Sequence, residues 1–101
     1  MRASISKSAI KGKTIVPSSK SYTIRGLMCA ALARGESEIV NPLGSDDTEA
    51  AAEVLNKIGV RLSQEESLWR VSGGQFQKPT TDLFCRESAA TLRFMTAICS
   101  L

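Results

Sequence analysis

Residues 16–40 read VPSSKSYTIRGLMCAALARGESEIV, and the change of period inside this stretch decides the fold. Pro17 ends extended backbone, and Ser18, Ser19 and Ser21 are each candidate N-caps, with hydroxyls able to accept from the unpaired N–H groups of a first helical turn. Ile24, Leu27, Met28, Ala31 and Leu32 then recur at the 3.6-residue spacing of one buried helical face. Gly35 stands where a left-handed C-cap would stop the helix, and Glu38-Ile39-Val40 follows as a short strand.

The same alternation continues on both sides. Upstream, Ala3–Ser6 and Lys13–Val16 have the composition of short strands joined by a turn at Lys11-Gly12-Lys13. Downstream, Ser45 is placed to cap a second helix whose first turn carries Asp46, Asp47 and Glu49, the acidic bias that suits a helix N-terminus. Ala51, Val54, Leu55 and Ile58 form its buried stripe and Gly59 ends it. Val60–Ser63 and Leu68–Ser72 then read as a hairpin around Glu65-Glu66-Ser67. After a loop marked by Gly73-Gly74 and Pro79, Asp82–Cys85 is expected as a strand leading into a last apolar helix. This order implies an α+β fold with helices packed on one face of a small mixed sheet. The last helical pattern, ATLRFMTAICSL, reaches Leu101 with no stop signal, which reads as a segment of a longer protein.

Composition narrows the function classes. A chain of 101 residues supports one domain with a modest core. With 5% aromatic residues, that core must be aliphatic. A formal charge of +3, with both signs interspersed, suits a local anion site and not a nucleic-acid interface. Cys29, Cys85 and Cys99 form no C-x-x-C pair and histidine is absent, so neither a metal nor a cofactor is expected. An odd cysteine count without a signal segment points to the reducing cytoplasm, and no apolar run is long enough for a membrane. Cys29 and Cys99 fall on apolar helical stretches, where small thiols are commonly buried.

Two helix starts have the makings of anion sites, since unpaired N–H groups and the dipole both favour negative charge there. At the first, Lys20 adds a mobile charge, Ser21 a hydroxyl and Arg25 a planar fork able to grip an oxyanion in two places. Ser21 and Arg25 are four apart and share a helical face. From spacing alone, a capped helix with two solvated cations is the better reading, although cations in a first turn work against the dipole. The second start, Cys85-Arg-Glu-Ser-Ala-Ala-Thr-Leu-Arg, has small residues that let a ligand approach the backbone. Ser88 and Ala89 are equally ordinary helix starters. Ser45-Asp46-Asp47 is best read as a capped first turn, with no catalytic role for the two carboxylates.

Taken together, PSSKSYTIRGLMCAALARGESEI, NPLGSDD and CRESAATLRFM, in this order and spacing, resemble the N-terminal part of the 5-enolpyruvylshikimate-3-phosphate synthase family over essentially all 101 residues. The resemblance implies a two-domain enzyme built from repeated βαβαββ units. Residues 1–17 would form a strand segment belonging to the other domain. Residues 18–101 would form the first unit of the N-terminal domain and the start of the next. The implied reaction transfers the enolpyruvyl group of phosphoenolpyruvate to shikimate 3-phosphate. Lys20 would contact both substrates, Ser21 and Arg25 would hold shikimate 3-phosphate, and the backbone at Ala89 would face phosphoenolpyruvate. The acid–base residues would come from the absent C-terminal domain, leaving this segment inactive alone.

The family stretch usually reads C-G-E-S-G-T-T-L-R, or has N-A-G-T in place of E-S-G-T, so Arg86 and Ala89 replace glycines and Ala90 a threonine. Alanine at the second glycine is a feature of relatives tolerant to the herbicide glyphosate, because its methyl crowds the longer inhibitor more than the substrate. The related UDP-N-acetylglucosamine enolpyruvyl transferases typically have K-N at the first helix and lack the arginine, so Ser21 and Arg25 argue against them. A non-catalytic anion-binding module of the same fold is the rival of a different kind.

Overall fold

The computed structural model describes residues 1–101. Its elements run α1 (Lys20–Leu32), β1 (Gly35–Val40), α2 (Asp46–Lys57), β2 (Arg61–Gln64), β3 (Leu68–Gly73) and α3 (Ala89–Cys99). The α+β class and the expected hairpin are present. The sheet, however, is wholly antiparallel, in the order β1-β3-β2, and not mixed.

The missing pairings have physical causes. Residues 1–19 contain no helix or strand, and Ile5, Ile10, Ile15 and Val16 are exposed. The two short strands expected there join neither open edge of the sheet, and paired only with one another they would make an isolated hairpin, which is marginal in water. Residues 82–85 are not a strand either. Leu83 and Cys85 line a cavity with Met95 and Cys99 of α3, and the Cys85 carbonyl accepts from the Ser88 N–H in a turn. Their side chains therefore pack among the helices, away from any sheet partner.

Alternation in β3 sets the two faces of the sheet. Trp69 and Val71 are buried against the helices, while Arg70 points outward. Ile39 pairs with Trp69 and Leu62 with Val71, adding apolar neighbours to the inner row. The outer row carries Glu38 opposite Arg70, with Nε 3.4 Å from Oε1. Ile24, Leu27 and Ala31 of α1, with Val54, Leu55 and Ile58 of α2, complete the core. Leu32, expected on the buried stripe of α1, lies half-exposed at its end.

That end differs from the sequence expectation in another way. Helix α1 stops at Leu32, and Gly35, with φ +95°, instead opens β1. The unpaired carbonyls of the last turn meet the end of β3: Gly74 N–H donates to the Ala31 carbonyl at 2.9 Å. A Cβ on Gly73 would fall 2.1 Å from the Ala30 oxygen and 2.6 Å from the Ala31 oxygen, so only glycine lets the strand pass there. Gly59 does end α2 as expected, with φ +98° directly after the C-cap Ile58.

Candidate functional site

Each of the three helices begins with a serine N-cap. Ser19 Oγ accepts from Tyr22 N–H, Ser45 Oγ from Thr48 N–H and Ser88 Oγ from Thr91 N–H. Of the candidates for α1, Ser19 is thus the cap, and Ser21 is the exposed second residue of the helix. The caps leave the first two N–H groups of every helix, at Lys20 and Ser21, Asp46 and Asp47, and Ala89 and Ala90, without an acceptor in the chain.

The loop residue Leu43 ties the first two helix starts together. Its N–H donates to Thr23 Oγ1 at 3.0 Å, while its carbonyl accepts from Thr48 Oγ1 at 2.7 Å. Thr23 Oγ1 in turn donates to the Ser19 carbonyl at 2.7 Å, and Thr48 Oγ1 accepts from Ser45 N–H at 2.9 Å in a reciprocal capping box. Both threonines are buried, so neither hydroxyl has water as an alternative partner.

Ion pairs close the arrangement. Lys20 Nζ is 2.8 Å from Asp47 Oδ2, joining α1 to α2. Arg86 Nη1 is 2.8 Å from Asp46 Oδ1 and Nη2 is 2.8 Å from Glu53 Oε2, joining α2 to the turn before α3. The starts of all three helices therefore lie on one rim, with their positive dipole ends and free N–H groups beside Lys20 and Arg86. Lys20 is not the free cation that spacing suggested; its side chain is half-exposed and already engaged. Asp46 and Asp47 are more than a capped first turn, because each holds a cation from another element. No sequence spacing pairs residues 40 positions apart, so the Arg86–Asp46 contact was not readable beforehand.

Arg25 forms no ion pair within the chain and is exposed. It borders an apolar groove of about 240 Å³ between α1 and α3, with Met28, Cys29 and Phe94 among its other walls. Ala89 is the exposed first residue of α3, and Ala90 is exposed after it.

The turn before α3 has an unusual backbone. Ser88 N–H donates to the Cys85 carbonyl at 3.0 Å, closing a four-residue turn whose first central residue, Arg86, has φ +50°. Positive φ at that position alone is the pattern of a type II′ turn, which favours glycine. Arg86 thus occupies a conformation that strains an L-residue. Its fork offsets that strain with two charge-assisted contacts. The hydrogen bonds to Asp46 and Glu53 hold the guanidinium above its ordinary pKa.

The cysteines reverse the expectation. Cys85 is buried, while Cys29 and Cys99 are exposed and all three are free. Burial, reinforced by the nearby Cys99, pushes the Cys85 thiol above its ordinary pKa. No helix is long and apolar enough to cross a membrane.

The sequence model of the EPSP synthase (3-phosphoshikimate 1-carboxyvinyltransferase) family matches residues 5–101. A 3-phosphoshikimate 1-carboxyvinyltransferase of Dehalococcoides mccartyi is 51% identical over 99% of this chain and 24% of its own length. One from Methanosarcina mazei is 46% identical over all of this chain and 24% of its own. The fold matches an EPSP synthase structure from Acinetobacter baumannii with a TM-score of 0.79 at 24% identity, over 89% of this chain and 21% of that one. The chain thus spans about a quarter of the length of the curated relatives it matches. With the family model matching nearly every residue, the chain belongs to the EPSP synthase (3-phosphoshikimate 1-carboxyvinyltransferase) family.

Proposed function

We propose that residues 18–101 form the first βαβαββ unit, and the start of the next, of a two-domain enolpyruvyl transferase, which joins the enolpyruvyl group of phosphoenolpyruvate to shikimate 3-phosphate. The observation that carries the reading is the rim itself: ion pairs bring three helix starts together, with six N–H groups free for anions. Both substrates are anions, and the relatives that match the whole chain carry this reaction in their name.

On this reading Lys20 shares its charge between Asp47 and the incoming substrates, which its half-exposed ammonium can do by rotation of a flexible stem. Ser21 donates its hydroxyl to shikimate 3-phosphate, and the unpaired Arg25 binds the same substrate in a bidentate fashion. The free N–H groups at Ala89 and Ala90 face phosphoenolpyruvate. The exposed methyl of Ala89 makes the enzyme tolerant to glyphosate by occupying space the inhibitor needs. Residues 1–17, unpaired in the chain, belong to the C-terminal domain, which also brings the acid–base groups. The three free thiols accord with a cytoplasmic location.

The test is phosphate release by the full polypeptide supplied with phosphoenolpyruvate and shikimate 3-phosphate. Turnover is expected with the full polypeptide and not with residues 1–101 alone. Lys20→Ala should lower kcat/KM about 100-fold or more. Turnover only with UDP-N-acetylglucosamine as acceptor would reassign the enzyme. Substrate binding without turnover would make it a silent module. For glyphosate, Ala89→Gly should sharpen inhibition; equal inhibition of both forms defeats the tolerance reading.

A further inference from the structure

The pairing of Arg86 with two acidic residues raises a question that substrate binding alone does not answer. Asp46 and Glu53 belong to α2, yet Arg86 holds both, at 2.8 Å each, from a turn that ends at Ser88, directly before Ala89 opens α3. Glycine would suit that turn's backbone better. An arginine therefore stands here against the backbone's own preference.

Electrostatics supplies a reason. The start of α3 attracts anions through its dipole and its free N–H groups, an attraction confined to the first turn. Two bare carboxylates close by would oppose it. Glu53 also has Lys57 at 4.0 Å, but Asp46 has Arg86 alone. We propose that Arg86 is a positioning residue that acts through Asp46 and Glu53, screening both carboxylates from the anion bound at the start of α3. The inference rests on the placement of phosphoenolpyruvate at Ala89 given above.

The decisive variant is Arg86→Gly, because glycine accepts the +50° φ and the turn keeps its shape while the charge is lost. In the full polypeptide, KM for phosphoenolpyruvate should rise about three- to tenfold with kcat within twofold. The KM increase should fade at 0.5 M salt, where exposed charges are screened. It should also disappear when Asp46→Asn and Glu53→Gln are added to the same chain. Arg86→Lys, which offers a point charge in place of a fork, should be intermediate. A KM increase that survives both salt and the two neutral replacements overturns the proposal, since Arg86 then touches substrate or merely props the turn. An unchanged KM also overturns it. Ala89→Gly separates the two levels. If that change alters glyphosate inhibition while Arg86→Gly alters nothing, only this inference falls; if neither variant has an effect, the placement of the substrate falls with it.

Discussion

Lys20 Nζ sits 2.8 Å from Asp47 Oδ2, so the cation at the head of α1 is aimed by a carboxylate at the head of α2. The pair is partly exposed, with side-chain accessibilities of 52% and 21%, so its contribution to stability is small. Asp47→Asn should change the unfolding free energy by less than about 1 kcal/mol. Turnover by the full polypeptide should fall about tenfold all the same, because Lys20 loses the group that orients it. Urea unfolding and steady-state kinetics on one preparation check both halves; a large stability loss would make Asp47 a structural residue.

The bridge through Leu43 predicts the opposite balance. Thr23→Val keeps the shape but leaves the Leu43 N–H, now held at 3.0 Å, without an acceptor. The expected loss is about 1–3 kcal/mol of stability, with Thr23→Ser recovering most of it. Denaturant midpoints for the two variants decide the matter.

Gly73 and Gly44 make a paired test of close packing. Alanine at Gly73 would drive its Cβ into the carbonyl oxygens of Ala30 and Ala31, whereas a Cβ at Gly44 meets nothing within 4 Å. Gly73→Ala should cost about 3 kcal/mol because backbone must move, while Gly44→Ala stays within about 0.5 kcal/mol. Thermal melts of the two proteins should therefore diverge by many degrees.

Burial of Cys85 predicts both reactivity and pH dependence. Iodoacetamide should label Cys29 and Cys99 in the folded protein and reach Cys85 only in denaturant. The Cys85 thiol has a raised pKa in the fold, so the unfolded chain ionises first as pH increases. Its contribution to stability is full below the unfolded value of about 8.5 and is lost as pH climbs through the folded value. Cys85→Ala should flatten the decline in melting temperature above that pH relative to the parent protein.

Local signals explain most of what the sequence revealed. Serines before apolar periodicity located all three N-caps to within a residue or two, and Gly59 correctly marked the end of α2. Non-local contacts explain the misses. Helix α1 stops before Gly35 because Gly74 already satisfies the Ala31 carbonyl. Residues 3–6, 13–16 and 82–85 have strand composition, but β propensity is realised only beside a partner strand. Cys29 and Cys99 lie on apolar helices yet face outward, since the helical pattern tells which face is apolar and not how much of it the fold covers. Lys20, Ser21, Arg25 and Ala89 were visible as candidates, whereas the carboxylates that hold Lys20 and Arg86 came from a helix remote in sequence.

The two fastenings of α1 have a mechanical consequence. Its first turn is pinned to residue 43 through Thr23, and its last turn to residue 74 through Ala31. A rod of 13 residues, about 20 Å long, clamped at both ends cannot slide or rotate about its axis without breaking one clamp. Whatever reaching Lys20 and Arg25 do is therefore confined to their own side-chain torsions, swung from a fixed post. Damage at the Gly73-Gly74 clamp would then be felt at the far end of the rod, as a change in where Lys20 stands.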